Sequence, residues 1–307
     1  MILSAGLTPA WQQILVFEGF RYGEVNRARE ALWCASGKVF NAGIAAHHLG
    51  GESLTLATVG GPPLREIDAE FARLGVPRRW VETASATRVC TTILDRMTGA
   101  MTELVEDGRP LSTEEIDRFR RAYAEEAARA EAVVLIGSLP RGTPDSLYRE
   151  LVQQTPCPIV LDFRGKGLLS VLDLKPYVVK PNREELAQTV GRSLDDDVQL
   201  RAAMQSLNRL GAQWVVVTQG AGPVWVTSES DAFRLHPPPA EKIVNPIGCG
   251  DCMAAGIAHA TREGREILDA VRFGMAAAAE NLRELLPGRL DPARVEQRAK
   301  DVRVEAM

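Results

Sequence analysis

Residues 243–256 read Ile-Val-Asn-Pro-Ile-Gly-Cys-Gly-Asp-Cys-Met-Ala-Ala-Gly: a proline-bearing lead-in, two glycines flanking one residue, then an aspartate opening an apolar helix. Gly248 and Gly250 permit backbone torsions that a β-carbon would obstruct. Successive N–H groups can therefore converge on one point, and the following helix adds its positive dipole end. A phosphoryl group fits such a cradle. Asp251 would stand beside it with a carboxylate able to take a proton from an attacking hydroxyl, as phosphoryl transfer to an alcohol requires. The same residues also read as an Asp near a helix N-cap after a glycine turn, so the rest of the chain has to decide.

Upstream of this stretch, strand-like and helix-like segments alternate. Ala132-Val-Val-Leu-Ile136, Ile159-Val-Leu-Asp162, Tyr177-Val-Val-Lys180 and Trp214-Val-Val-Val-Thr218 are short continuous apolar runs, the pattern of strands buried on both faces of a parallel sheet. Helical patterns separate and follow them at about 144–154, 196–210, 251–262 and 265–286. Ser112-Thr-Glu-Glu115 is a capping box that opens a further helix running to about Arg129. This is a βαβ series. Ligands in such sheets bind at the carboxyl ends of the strands. The polar, glycine-bearing words fall there: Gly137-Ser-Leu-Pro, Asp162-Phe-Arg-Gly, Pro181-Asn-Arg-Glu-Glu and Gln219-Gly-Ala-Gly.

Two segments, about 11–33 and 86–107, break the alternation with shorter runs such as Arg88-Val-Cys-Thr-Thr-Ile-Leu-Asp95 and turn signals at Met97-Thr-Gly99 and Asp107-Gly108. They are expected to form a small β lid outside the main sheet, able to exclude water during transfer to an alcohol.

Composition narrows the function. The chain has 307 residues, 45% hydrophobic and 25% charged, with a net charge of −4 and no basic stripe, so the electrostatic footprint of a nucleic-acid binder is missing. No basic n-region precedes the apolar N-terminal residues, and no window approaches the roughly 18 apolar residues of a membrane span. A cytoplasmic protein with no membrane partner is expected. Five scattered cysteines, Cys34, Cys90, Cys157, Cys249 and Cys252, form no disulfide framework. Cys249 and Cys252 make a C-x-x-C without a second pair, and the four histidines stand at no recognisable zinc spacing. At a helix N-terminus Cys249 is expected to favour the thiolate and to be sensitive to oxidation. Ser36-Gly-Lys-Val39 lacks the rest of a Walker A loop, no complete G-x-G-x-x-G follows a strand, and no Gly-x-Ser-x-Gly elbow occurs.

Seven words, in order, carry a resemblance. Leu7-Thr-Pro-Ala10 with Val25-Asn-Arg27, Ser36-Gly-Lys-Val-Phe-Asn41 followed by a helix Ala42–Leu49, Thr87-Arg88 with Cys90, Gly137-Ser-Leu-Pro140, Lys180-Pro-Asn182 with Glu185, Thr218-Gln-Gly220 and Gly248-Cys-Gly-Asp251 are similar to the motifs of the ribokinase-like, or phosphofructokinase-B, carbohydrate kinases. The last resembles that family's G-A-G-D signature, and the likeness spans residues 1 to about 290. It implies an α/β fold: a ribokinase-like three-layer sandwich with a mostly parallel central sheet and the small β lid, forming one kinase domain over residues 1–307.

The resemblance also implies roles. Asp251 is the base, with the amides of Gly248, Cys249 and Gly250 as the anion hole. Lys180, Asn182, Thr218 and Gly220 lie on the ATP side, and Asn182 and Glu185 help to hold Mg²⁺, through water. The Asn-x-x-Glu spacing of that pair is also that of a capping box, the metal role being the favoured reading. Gln12, Arg27, Lys38, Asn41, Arg88 and Ser138 face the sugar, with Arg88, Arg27 and Lys38 available to a phosphate already on it. Lid strands of this family often provide a dimer surface, so a homodimer through the lid is expected.

The departures cluster on the acceptor side. Gln12 stands where the family usually has an aspartate, Thr8 replaces an Asn, and Ser36 and Val39 replace glycines. Arg164 and Lys166 are cations where related phosphofructokinases have small or acidic residues. Val39 is expected to narrow the pocket, and Glu280-Asn281 leaves the nucleotide base open. The expected activity is ATP-dependent phosphorylation of a sugar or sugar phosphate, in the 1-phosphofructokinase or tagatose-6-phosphate kinase branch, with fructose-1-phosphate, fructose-6-phosphate or tagatose-6-phosphate as acceptor. The alternatives are a non-catalytic sugar-phosphate or nucleotide-binding protein on the same fold, and a nucleoside kinase.

Overall fold

The computed structural model of the chain describes residues 1–238 and 242–307. Its strands are β1 (Ile2–Gly6), β2 (Ala10–Phe17), β3 (Glu30–Ser36), β4 (Ser53–Gly60), β5 (Arg78–Thr83), β6 (Arg88–Asp95), β7 (Met101–Val105), β8 (Ala132–Ile136), β9 (Ile159–Asp162), β10 (Val178–Val179), β11 (Trp214–Val217), β12 (Val224–Thr227), β13 (Ala232–His236) and β14 (Arg303–Ala306). Its α-helices are α1 (Lys38–His48), α2 (Pro63–Leu74), α3 (Thr113–Ala127), α4 (Leu147–Gln153), α5 (Lys166–Leu169), α6 (Arg183–Val190), α7 (Asp197–Arg209), α8 (Cys249–Arg262), α9 (Ile267–Asn281) and α10 (Pro292–Ala299).

The main sheet runs β14-β13-β12-β11-β10-β9-β8-β1-β4-β5. From β5 to β11 all neighbours are parallel, and β12, β13 and β14 add an antiparallel edge. The apolar runs alternate their side chains between two cores, as strand pleating requires. In β8, Ala132, Val134 and Ile136 pack with Phe40, Phe71, Met253 and Phe273 of α1, α2, α8 and α9. Val133 and Leu135 pack on the other face with Phe119, Leu151, Leu186 and Leu207 of α3, α4, α6 and α7. Two helical layers thus cover a sheet that is apolar on both sides, which is why these strands read as continuous hydrophobic runs.

The chain leaves β1 towards β4 on one side and returns to β8 on the other, so the strand order reverses between β1 and β8. At such a switch point the two outgoing loops part and open a crevice beyond the carboxyl ends. Thr8 follows β1 there, and Gly137 and Ser138 follow β8.

The segments expected outside the main sheet pair with each other as a separate four-stranded sheet, β3-β2-β6-β7. One face carries Ile14, Val16, Cys34 and Leu94, which close over Leu285 and Leu286. Those two leucines also account for a difference from sequence expectation. The helix expected to reach 286 ends at Asn281, where the chain turns so that Leu285 and Leu286 can meet the second sheet. At the other end of the site, α1 starts at Lys38 rather than Ala42, bringing Lys38 and Asn41 onto one helical turn.

Candidate active site

Helix α8 starts at Cys249, two residues before the expected position, so Asp251 lies within its first turn. Gly248 caps it in the left-handed region at φ 81°. A β-carbon at Gly248 would also stand 2.8 Å from Cβ of Pro287 and 3.3 Å from Nδ2 of Asn41. Both torsion and space therefore require glycine. The amides of Gly250 and Asp251 have no acceptor within their own helix. The Cys249 N–H is directed to the Pro246 carbonyl at 3.4 Å.

Two fully buried asparagines hold the turn leading into this helix. Asn245 donates to the Leu285 carbonyl at 2.8 Å and accepts from the Ile247 N–H at 3.0 Å. Asn281 donates to the Ile247 carbonyl at 2.7 Å and accepts from the Gly288 N–H at 2.8 Å. Sequence reasoning gave Asn281 no role beyond leaving the nucleotide base open, and its side chain braces the glycine turn. The hint in the sequence is an amide in the last turn of a helix, just after the apolar run Gly274–Ala279, where burial demands hydrogen-bond partners.

Asp251 is buried, and its Oδ2 accepts from Nδ2 of Asn41 at 2.8 Å. The Asn41 Oδ1 in turn accepts from the Ser36 hydroxyl at 3.0 Å, so a residue standing in a family glycine position orients the amide that touches Asp251. Beside this relay lies a residue the sequence reading placed at a strand end without a role. Asp162, buried at the end of β9, accepts from Lys38 Nζ through Oδ1 at 2.8 Å and pairs with Lys180 Nζ through Oδ2 at 2.8 Å. Lys38 also donates to Oε1 of Glu185 at 3.1 Å. Lys180 Nζ lies 3.5 Å from where a Gly250 β-carbon would be, so the lysine meets the start of α8.

Two cations thus face three carboxylates, and Asp251 takes the deficit. Burial, then the charge of Asp162, pushes its carboxyl up to about 6, against Lys38, the Asn41 hydrogen bond and Lys180. Burial opposes the charge of Asp162 as well, but Lys180 and Lys38 hold that carboxyl below the usual range. Burial also disfavours the charge on Lys38, and Asp162, Glu185 and Asp251 outweigh it, so its ammonium is held above the usual range. A base that is neutral below about pH 6 and ionised above it suits proton transfer near neutrality. The thiolate expected at Cys249 does not form at that pH. Burial pushes this thiol up to about 11, the hydrogen bond from Asn281 opposing only partly.

On the opposite side, Asn182 and Glu185 form a complete capping box at the start of α6: Asn182 Oδ1 accepts from the Glu185 N–H at 2.7 Å and Glu185 Oε2 from the Asn182 N–H at 3.0 Å. Thr218 is bridged to Asn182, and its carbonyl accepts from the Arg183 N–H at 2.9 Å. Gly220 lies just beyond, exposed, at φ 62° with open space around it. The donor set fits a hard cation held through water: both Glu185 oxygens keep a lone pair for a water hydrogen, whereas direct ligation would compete with Lys38 and the cap.

A cavity of about 420 Å³ lies at the switch point, lined by Thr8, Lys38, Arg88, Ser138, Arg164 and Lys166 among others. The Arg88 guanidinium donates to the carbonyls of Pro9 at 3.3 Å, Glu106 at 3.0 Å and Thr8 at 3.1 Å, tying the second sheet to the loop after β1. Thr8 donates to the Ser138 carbonyl at 3.1 Å across the crevice. Gln12 is buried within the second sheet and donates to the Thr92 hydroxyl at 2.6 Å, and Arg27 is exposed in the loop between β2 and β3; neither is among the residues lining this cavity. Val39 does not narrow it. Its side chain is buried in the core beneath β1 and β8, with its Cβ 3.0 Å from where a Gly6 β-carbon would be.

The model of the pfkB family of carbohydrate kinases matches residues 2–292. The chain belongs to that family. As a pfkB-family carbohydrate kinase it shares its fold with solved relatives of low identity. A Thermotoga maritima structure described as a possible 1-phosphofructokinase superposes with a TM-score of 0.90 at 22% identity, over 100% of this chain and 99% of the other. Escherichia coli phosphofructokinase-2 in complex with fructose-6-phosphate gives 0.85 at 23% identity, over 97% and 98%. Arabidopsis thaliana ribokinase complexed with ribose and ATP gives 0.76 at 21% identity, over 97% and 98%. The three-layer architecture of this kinase is the ribokinase-like one expected from the sequence.

Proposed function

We propose that this carbohydrate kinase transfers the γ-phosphoryl group of ATP to a hydroxyl of a sugar or sugar phosphate bound in the switch-point cavity. The supporting observation is the buried Asp251 carboxylate in the first turn of α8, oriented by Asn41 and pushed up to about 6. With Oδ2 engaged by Asn41, Oδ1 takes the acceptor proton as the acceptor oxygen bonds to phosphorus and the bond from phosphorus to the β,γ-bridging oxygen breaks, releasing ADP. The amides of Gly248, Cys249 and Gly250 are assigned to the charge that develops on the transferring group, the Cys249 N–H exchanging its long 3.4 Å contact with the Pro246 carbonyl for that charge. Lys180 and Thr218 with Gly220 border the nucleotide phosphates. Asn182 and Glu185 would hold Mg²⁺ through water, and the ion would supply charge neutralisation to the nucleotide phosphates. Lys38, Asn41 and Ser138 orient the acceptor, and Arg88 fixes the wall beside it.

The second sheet acts as the lid of a single domain, excluding water over Asp251. Its outward face, with Trp33 stacked on Trp11 and Leu104 exposed, is the surface for a homodimer. No helix among the described residues is long and apolar enough to cross a membrane, and we assign the enzyme to the cytoplasm.

Coupled ADP release tests the reading over fructose-1-phosphate, fructose-6-phosphate, tagatose-6-phosphate, their unphosphorylated sugars and nucleosides. ADP release that depends on one of the sugars or sugar phosphates supports it. Thermal stabilisation by a ligand with no ADP release from any would make the protein a binding module, and release with nucleosides alone would make it a nucleoside kinase.

A further inference from the structure

The cation budget of the cavity is uneven. Lys38 is already held by Asp162 and Glu185, and Arg88 has three of its five N–H donors on main-chain carbonyls. Arg164, in the turn after β9, and Lys166, the first residue of α5, also line the cavity and are exposed, and their side chains make no hydrogen bond or ion pair among the described residues.

The segment that carries them is anchored by its neighbours. The Gly165 N–H between them donates to the Thr189 hydroxyl at 2.9 Å. Phe163 beneath is stacked on Tyr148 with ring centroids 3.8 Å apart and planes 4° from parallel, and the Tyr148 hydroxyl is anchored on the Gly137 carbonyl. Two cations without a side-chain partner, lining the same cavity as Lys38, are placed to receive an anionic substituent of a bound molecule.

We propose that Arg164 and Lys166 form the subsite for a phosphate carried by the acceptor, and that they, rather than Arg88, set the preference for a phosphorylated sugar. This rests on the kinase reading above for the identity of the acceptor, but the phosphate subsite is a binding property that can be measured without turnover. A guanidinium offers a bidentate fork to phosphate and an ammonium a point charge, so the pair suits a dianion better than a neutral sugar.

The test titrates fructose-1-phosphate, fructose-6-phosphate and tagatose-6-phosphate into ATP-free protein by calorimetry and repeats the coupled ADP assay. The Arg164→Ala/Lys166→Ala double variant is expected to raise Kd and KM for the preferred sugar phosphate by at least about tenfold, with kcat changed far less. Arg164→Lys should recover part of the loss, and thermal stabilisation by ATP serves as the folding control. An unchanged Kd and KM in the double variant, with the loss appearing in Arg88→Ala instead, overturns the proposal. So does a wild-type enzyme that binds free fructose as tightly as its phosphates. ADP release with an unphosphorylated sugar and no preference for its phosphate would sink this subsite and leave the kinase reading standing. Sugar-phosphate binding that needs Arg164 and Lys166 but yields no ADP would do the reverse.

Discussion

Asn41 and Asp251, 210 residues apart in the chain, meet through a 2.8 Å hydrogen bond from the amide to the carboxylate. Each sits within the first turn of its own helix, α1 and α8, so the bond fixes the acceptor-side helix against the phosphoryl-side helix at the place where proton transfer would occur. Replacing Asp251 by Asn removes the proton acceptor and keeps the size. We expect kcat for ADP release to fall by roughly 10²–10⁴-fold while ATP still raises Tm, since that is the usual contribution of a positioned base. Near-normal turnover in Asp251→Asn would remove the residue from the mechanism.

The pH profile follows from the same carboxyl. The group acts as a base only when ionised, so kcat/KM should rise with pH through an acid limb at about 6. Asn41 stabilises the ionised form, and Asn41→Ala should move that limb to higher pH. Stability runs the other way. A carboxyl whose folded value is raised favours the native state most below its ordinary value of 3.8, and this contribution is lost as pH rises through about 6. Across that window Tm of the wild type should fall relative to Asp251→Asn.

Asp162 has a structural and an electrostatic consequence that can be separated. Asp162→Ala leaves the buried Lys180 without its carboxylate, and breaking a buried pair in this way costs about 3–5 kcal/mol, readable by urea denaturation. Removing the negative charge also relieves Asp251, so the acid limb of any residual activity should shift to lower pH. An acid limb unmoved in Asp162→Asn would show that the two carboxylates do not interact as their placement implies.

Glu185 joins α6 to Lys38. Glu185→Ala should cost about 1 kcal/mol through the lost cap. It should also raise the Mg²⁺ concentration needed for half-maximal rate by about tenfold, the scale of lost outer-shell support for a metal. Titrating Mg²⁺ at saturating ATP distinguishes the two effects, because the cap alone would lower Tm without changing the metal requirement.

Much of this was legible in the sequence for a definite reason. Continuous apolar runs, capping boxes at Ser112 and Asn182, and the glycines of the 248–251 turn are local constraints, since strand burial, helix starts and positive torsions act over a few residues. The antiparallel strands β12 to β14 lacked such a signal, being short and, in β13 and β14, only partly buried. The early start of α1 was hidden because Gly37 and Lys38 resemble loop residues until Gly37 is seen, at φ 82°, to start the helix.

What the chain determined by itself was therefore the layered α/β plan and the turn that faces an anion, both written in short-range periodicity and torsional freedom. Tertiary structure alone decided who is whose partner. It gave Asp162 its two lysines, committed Arg88 to main-chain carbonyls, turned Val39 into the core and set Asn281 behind the glycine turn. Those outcomes depend on which charges and amides are buried together, and burial couples residues over separations that no local pattern encodes.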